Sequence, residues 1–204
     1  MNLIRKGAEA DLYLAEFEEL YFPWDKEKIL IKKRISKGYR IPELDYELRL
    51  KRTLHEAKLL HEAKKYVNTP FVYEVNKKEC TIVMQYIEGF RAKEKLSTEI
   101  AFKIGLNISK LHKSGIIHGD ITTSNIIVKS GSIYFIDFGL GEFTKEIEAQ
   151  AVDLHLLKQT LRSTHHEHWK TFWNAILKGY QKEDFAQIID RITDIEKRGR
   201  YIKR

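Results

Sequence analysis

The stretch His118-Gly119-Asp120-Ile121-Thr122-Thr123-Ser124-Asn125, followed beyond an apolar segment by Ile136-Asp137-Phe138-Gly139, decides how this chain is read. Asp120 is a carboxylate able to accept a hydroxyl proton or to orient a nucleophile. Asn125 can offer an amide oxygen to a hard metal ion. Asp137 closes a run of apolar residues and can neutralise a Mg²⁺ that bridges nucleotide phosphates. Singly, Asp120 and Asn125 read as ordinary turn residues. In this order, with an apolar strand between the two blocks, Asp120, Asn125 and Asp137 read as one phosphoryl-transfer centre.

Such a centre belongs to a protein-kinase-like fold, and the flanking sequence agrees. Leu3 to Phe17 alternates as strand, turn and strand around Gly7-Ala8-Glu9-Ala10. Ile29-Leu30-Ile31-Lys32 is a short apolar strand ending in a lysine, and Pro42 opens a helical stretch to Lys65 with Leu44, Leu48, Leu54, Ala57, Leu59 and Leu60 near helical spacing. Phe71 to Val75 and Thr81 to Met84 form a strand pair, and Ile87-Glu88-Gly89 breaks the pattern as a hinge. Ser97 is an N-cap for a helix through Leu111-His112. Ile126 to Val128 and Ile133 to Ile136 form a hairpin, and the chain is helical from about Ile147. The expected fold is α+β and two-lobed. Residues 1–86 form an N-lobe of mostly antiparallel sheet with one long helix, and residues 87–204 a reduced helical C-lobe.

With 204 residues the chain is shorter than a full eukaryotic-type kinase domain. One cysteine, Cys80, excludes a disulfide framework and reads as a small buried hydrophobe. The start is short and polar and no long apolar run follows, so a protein of the cytoplasm without membrane attachment is expected. A net charge of +7 favours anionic partners such as nucleotide or RNA. The basic residues gather at Lys32-Lys33-Arg34, Lys37, Arg40, Arg49, Lys51-Arg52 and a tail of Lys197-Arg198, Arg200 and Lys203-Arg204.

An ATP site needs a cation before the hinge. Lys32 stands where a kinase strand places its ammonium, and strand alternation sends Lys33 to the other face. Glu56 on the long helix is the expected partner of Lys32, with Glu47 and Glu62 as alternatives. Gly7, Ala8, Glu9 and Ala10 should cover the phosphates, although only one of them is glycine and Glu9 must pair with a cation or point outward. Met84, Gln85, Tyr86 and Ile87 at the hinge are expected to complete nucleotide binding.

The blocks Gly7-Ala8-Glu9-Ala10, Lys37-Gly38-Tyr39-Arg40, Pro42-Glu43-Leu44-Asp45, Thr122-Thr123-Ser124-Asn125, Val152-Asp153-Leu154, Ser163-Thr164-His165 and Arg198-Gly199-Arg200 resemble the small atypical kinase subunit of the KEOPS complex. The likeness runs over nearly the whole chain. It implies an ATPase and Ser/Thr kinase that needs ATP with Mg²⁺ or Mn²⁺ and is regulated by partners. It also implies work beside a threonylcarbamoyl transferase and the other KEOPS subunits in forming threonylcarbamoyl-adenosine on tRNA, with tRNA itself a candidate contact. Carried over by motif, Lys32 and Glu56 are the ion pair, Asp120 the catalytic carboxylate, Asn125 and Asp137 the metal ligands, and Asp153 the brace of the catalytic loop. The basic tail is expected to reach the transferase.

Two departures weaken general protein-kinase activity. Thr122 stands where ordinary Ser/Thr kinases carry a lysine, and only about a dozen residues separate Gly139 from Asp153, too few for an activation segment. Autophosphorylation stays open. The rival readings are a free-standing Ser/Thr kinase, a small-molecule kinase and a non-catalytic RNA-binding scaffold. His165, His166 and His168 read as a polar helix start rather than a zinc site, and Trp169 with Trp173 as packing residues.

Overall fold

The computed structural model describes residues 1–21, 27–181 and 183–201. The N-terminal half is a five-stranded antiparallel sheet of order β1-β2-β3-β5-β4. The strands are β1 (Asn2–Lys6), β2 (Ala10–Glu16), β3 (Lys28–Arg34), β4 (Val72–Asn76) and β5 (Thr81–Gln85). In β3 the period of two sorts the side chains. Ile29 and Ile31 join Ala15 and Val83 in a small outer cluster with Tyr13, Phe17, Tyr21 and Tyr73 packed on it. Leu30, Lys32 and Arg34 face the other way, toward the long helix α1 (Pro42–Ala63). Lys33, on the outer face, pairs with Glu79 at 2.6 Å.

Helix α1 begins with Pro42 in its first turn, where a missing N–H costs nothing. Its buried stripe is Asp45, Thr53, Glu56, Ala57, Leu59, Leu60 and Ala63. Leu44 and Leu54, expected among its apolar positions, are exposed. The buried face includes Glu56, which receives two cations from β3, and the leucines at 44 and 54 lie elsewhere on the helix.

The C-terminal half is mainly helical. Helix α2 (Thr98–Lys113) is capped by Ser97, whose Oγ accepts from the Ile100 N–H at 3.2 Å. It crosses α4 (Trp169–Gly179) closely. A Cβ on Gly105 would stand 2.0 Å from the Ile176 carbonyl oxygen, and one on Gly179 would stand 2.1 Å from that of Phe102. Helices α3 (Ile147–Thr164) and α5 (Phe185–Tyr201) pack together. The short strands β6 (Phe90–Arg91), β8 (Ile126–Lys129) and β9 (Ser132–Phe135) make a second sheet, and β7 (Ile116–Ile117) pairs with β10 (Glu142–Phe143). One apolar core joins both halves, from Leu59, Leu60 and Met84 through Ile104, Ile108, Phe135 and Phe138 to Leu154, Ile176 and Tyr180. Each such buried side chain contributes about 1.5–3 kcal/mol.

Trp173 is buried and Trp169 packs against the same core, as their spacing predicts. Residues 165–168 make the turn between α3 and α4, where the His165 and His168 rings meet Phe172 edge-on. Among the described residues no cluster of three or more His, Cys, Asp or Glu is placed to hold a metal ion. Also among them, no helix is long and apolar enough to cross a membrane. Cys80 is buried beside β5. Lys203 and Arg204 of the basic tail lie outside the described residues.

Candidate active site

The sheet, α1 and the two central blocks meet at a cavity of about 300 Å³ walled by Gly7, Ala8, Glu9, Ala10, Lys32, Arg34, Asp120, Asn125 and Asp137, among others. Lys32 is part of its wall. Its Nζ donates to Glu56 Oε1 at 2.6 Å and to Asp137 Oδ1 at 2.7 Å. Glu56 is thus the partner, while Glu47 is exposed and Glu62 pairs with Lys65. Burial works against the Lys32 ammonium, but the carboxylates of Glu56 and Asp137 outweigh it and hold its pKa above the usual lysine value. Burial likewise pushes the Asp137 carboxyl up, and Lys32 overrides it, so Asp137 stays below the usual carboxylate range.

Arg34 is the residue that motif reading missed. Its Nη2 donates to Glu56 Oε2 at 2.7 Å, so one buried carboxylate holds two cations. The signal was present, because period two in β3 puts residue 34 on the face of residue 32. Glu9 does pair with cations, Arg34 at 3.3 Å and Arg52 at 2.6 Å. Gly7 makes the turn possible, since a Cβ there would lie 2.4 Å from the Ala10 carbonyl oxygen. Met84, Gln85, Tyr86 and Ile87 are not among the residues walling the cavity, and the Met84 side chain is part of the apolar core.

The loop carrying Asp120 is held by side-chain and backbone contacts. Asn125 Nδ2 donates to Asp120 Oδ2 at 2.8 Å and to the Asp120 carbonyl at 3.0 Å, which leaves its amide oxygen as the atom for a cation. His118 is fully buried, and burial holds its pKa below the usual histidine value. Its Nε2 lies 3.1 Å from the Ile136 carbonyl, and its Nδ1 3.3 Å from the Asp120 N–H. Only the neutral tautomer with Nε2 protonated satisfies both. This ring therefore ties the Asp120 loop to the strand leading into Asp137. Asp137 itself has φ of 66°, a left-handed conformation uncommon for a residue with a Cβ.

Asp153 on α3 accepts from the His118 N–H at 2.8 Å and the Gly119 N–H at 2.9 Å. Gly119 has φ of +80°, and a Cβ on it would strike the Leu140 carbonyl at 2.0 Å. Behind Asp153 lies a pair of residues with no motif to announce them. His112 Nε2 is 3.2 Å from Asp153, and His112 Nδ1 is 2.8 Å from the Tyr180 hydroxyl. After Gly139 the chain enters β10 and then α3 at Ile147. His55 Nε2, 2.8 Å from the Gly141 carbonyl, fixes that short segment to α1.

The donor set fits a nucleoside triphosphate with a hard divalent ion. It offers carboxylate and amide oxygens for the metal, an ammonium for phosphate, and an Asp137 that stays ionised. A two-ligand site completed by phosphate and water is normal for Mg²⁺.

A RIO domain matches residues 32–154. The chain is 50% identical over its whole length to the "KEOPS complex subunit Bud32" of Pyrococcus abyssi, of which it covers 98%. It is 43% identical, over 87% of its length and 91% of the relative, to the "Probable serine/threonine-protein kinase BUD32 homolog" of Archaeoglobus fulgidus. It is 44% identical, over 98% of its length, to the "Probable bifunctional tRNA threonylcarbamoyladenosine biosynthesis protein" of Methanothermobacter thermautotrophicus, of which it spans 36%. The chain therefore corresponds to about a third of that longer relative.

Proposed function

This chain belongs to the RIO-domain family, in its Bud32 branch, and on that premise we propose that it is an ATP-dependent phosphotransferase and ATPase. It would act as the kinase subunit of a KEOPS complex in the cytoplasm, beside a threonylcarbamoyl transferase, and support formation of threonylcarbamoyl-adenosine on tRNA. The observation that carries this reading is one cavity where Lys32 is clamped between Glu56 and Asp137 while Asn125 holds Asp120.

Each residue has a role in this reading. Asn125 and Asp137 would hold Mg²⁺ or Mn²⁺. Lys32 takes phosphate oxygens, and Glu56 fixes its ammonium. Gly7 to Ala10 cover the phosphates, and Met84 to Ile87 receive the base between residues 1–86 and 87–204. When bound, ATP with its metal would supply the phosphoryl group to be transferred, with the metal offsetting the charge that develops on it. Asp120 orients the attacking hydroxyl or water and takes its proton. Asp153 keeps the loop in place through the His118 and Gly119 amides. The direct passage from Gly139 through β10 to α3 favours water, or a residue of this chain, over a general protein substrate. The basic face of α1 supports contact with tRNA phosphates.

Reconstitution tests the proposal. Modified tRNA is measured with the transferase and the remaining subunits, with this chain or its Asp120→Asn variant. Modification that requires the parent chain and falls by about a hundredfold or more with the variant is expected, the scale of a lost general base. Full modification with the variant would leave the non-catalytic scaffold.

A further inference from the structure

A second cavity of about 300 Å³ adjoins the nucleotide cleft and shares Ala8, Glu9 and Arg34 with it. Arg34, Lys37, Arg40, Arg49 and Arg52 line it, and Glu9 is the one carboxylate in its wall. Buried Asp45 lies beneath and takes Arg49 at 2.7 Å and Arg40 at 3.5 Å. Even if Glu9, Asp45 and Glu56 are all set against these five cations, an excess of positive charge remains. The core of the site is built rather than a loose surface patch. The Arg34 side chain is only 4% exposed, and its buried Nε has no hydrogen-bond acceptor among the described residues. A buried guanidinium N–H left this way calls for an oxygen.

Among the described residues Glu9 is the only anion lining the cavity, and it is half exposed. It bridges Arg34 at 3.3 Å and Arg52 at 2.6 Å, as an oxyanion entering the cavity would. Lys37 donates to the Ala8 carbonyl, so the phosphate-covering turn is tied to the same wall. We infer that this cavity is a second phosphate site, distinct from the nucleotide cleft, whose place Glu9 holds until a phosphate group displaces it. The phosphate has two possible sources of the same chemistry: orthophosphate released by hydrolysis in the adjoining cleft, or a backbone phosphate of RNA. The first source rests on the ATPase reading, and the second on the proposed contact with tRNA.

The test is a calorimetric titration of the nucleotide-free full chain with sodium phosphate and, separately, with a short oligoribonucleotide. Saturable binding is expected to weaken about tenfold in Arg40→Gln and in Lys37→Gln, the scale of one charge-assisted hydrogen bond. It should tighten in Glu9→Gln and persist in Lys32→Met. Circular dichroism confirms that each variant is folded. The ligand that binds more tightly to the parent chain identifies the source. No saturable binding of either ligand would overturn the inference. So would binding that Lys32→Met removes and Arg40→Gln leaves unchanged, because that pattern belongs to the nucleotide cleft. A chain that binds phosphate here but hydrolyses no ATP would keep this site and remove the catalytic reading. Hydrolysis without phosphate binding would do the reverse.

Discussion

Replacing Glu56 by Gln should destabilise the fold more than any exposed ion pair could. The Glu56 side chain is 1% exposed, and its two oxygens hold Lys32 at 2.6 Å and Arg34 at 2.7 Å, cations that are themselves 11% and 4% exposed. Breaking one buried pair costs about 3–5 kcal/mol, because a charge is left without compensation. Here the loss is partly cushioned. Lys32 keeps Asp137 at 2.7 Å, and Arg34 keeps Glu9 at 3.3 Å. The lower end, about 3 kcal/mol, is therefore expected. At about 2–4 °C per kcal/mol for a chain of this size, the melting temperature should fall by about 6–12 °C. Thermal unfolding followed by circular dichroism reads this directly. The triple variant Lys32→Met, Arg34→Met, Glu56→Leu removes the charges together and should regain most of the loss, since apolar replacement of a buried ionic cluster is often neutral. It should not regain ATP hydrolysis. A Glu56→Gln protein that melts within about 2 °C of the parent would overturn this prediction. It would mean that Glu56 does not carry the charge of two buried cations.

The buried His118 predicts a pH dependence. Its folded pKa is depressed by burial, so the unfolded chain binds the proton first as pH falls below about 6.5, and stability is lost in that direction. Urea unfolding between neutrality and mild acid should show a steeper decline for the parent than for His118→Gln. Gly105→Ala would place a methyl 2.0 Å from the Ile176 carbonyl and force α2 from α4, costing about 1–3 kcal/mol in chemical denaturation. Asp153→Asn exchanges the carboxylate for an amide beneath the His118 and Gly119 N–H groups, so kcat should fall with nucleotide KM nearly unchanged.

Much of this arrangement was legible in local sequence, for identifiable reasons. Strand period two placed Lys32 inward and Lys33 outward, and the structure pairs them with Glu56 and Glu79 respectively. The Ser97 cap and the Ile126 to Phe135 hairpin depend on neighbours in sequence, so they too could be read. The double load on Glu56 was not foreseen, although the same alternation points Arg34 inward, because no motif calls for a second cation. Leu44 and Leu54 misled because helical spacing does not say which face meets a sheet that presents charge. The His112 and Tyr180 support of Asp153 joins residues up to 68 positions apart, and only the packing of α2, α3 and α4 brings them together. The basic cavity beside Glu9 has the same origin, since β3, the loop after it and α1 each contribute cations that are scattered in sequence.

The most direct test of the central claim is ATP hydrolysis by the purified chain, alone and with the transferase subunit, beside Asp137→Ala. A Mg²⁺-dependent rate that appears or rises with the partner and disappears in the variant is expected. Hydrolysis that persists in Asp137→Ala, or its absence from every mixture while tRNA binding stays intact, would contradict it.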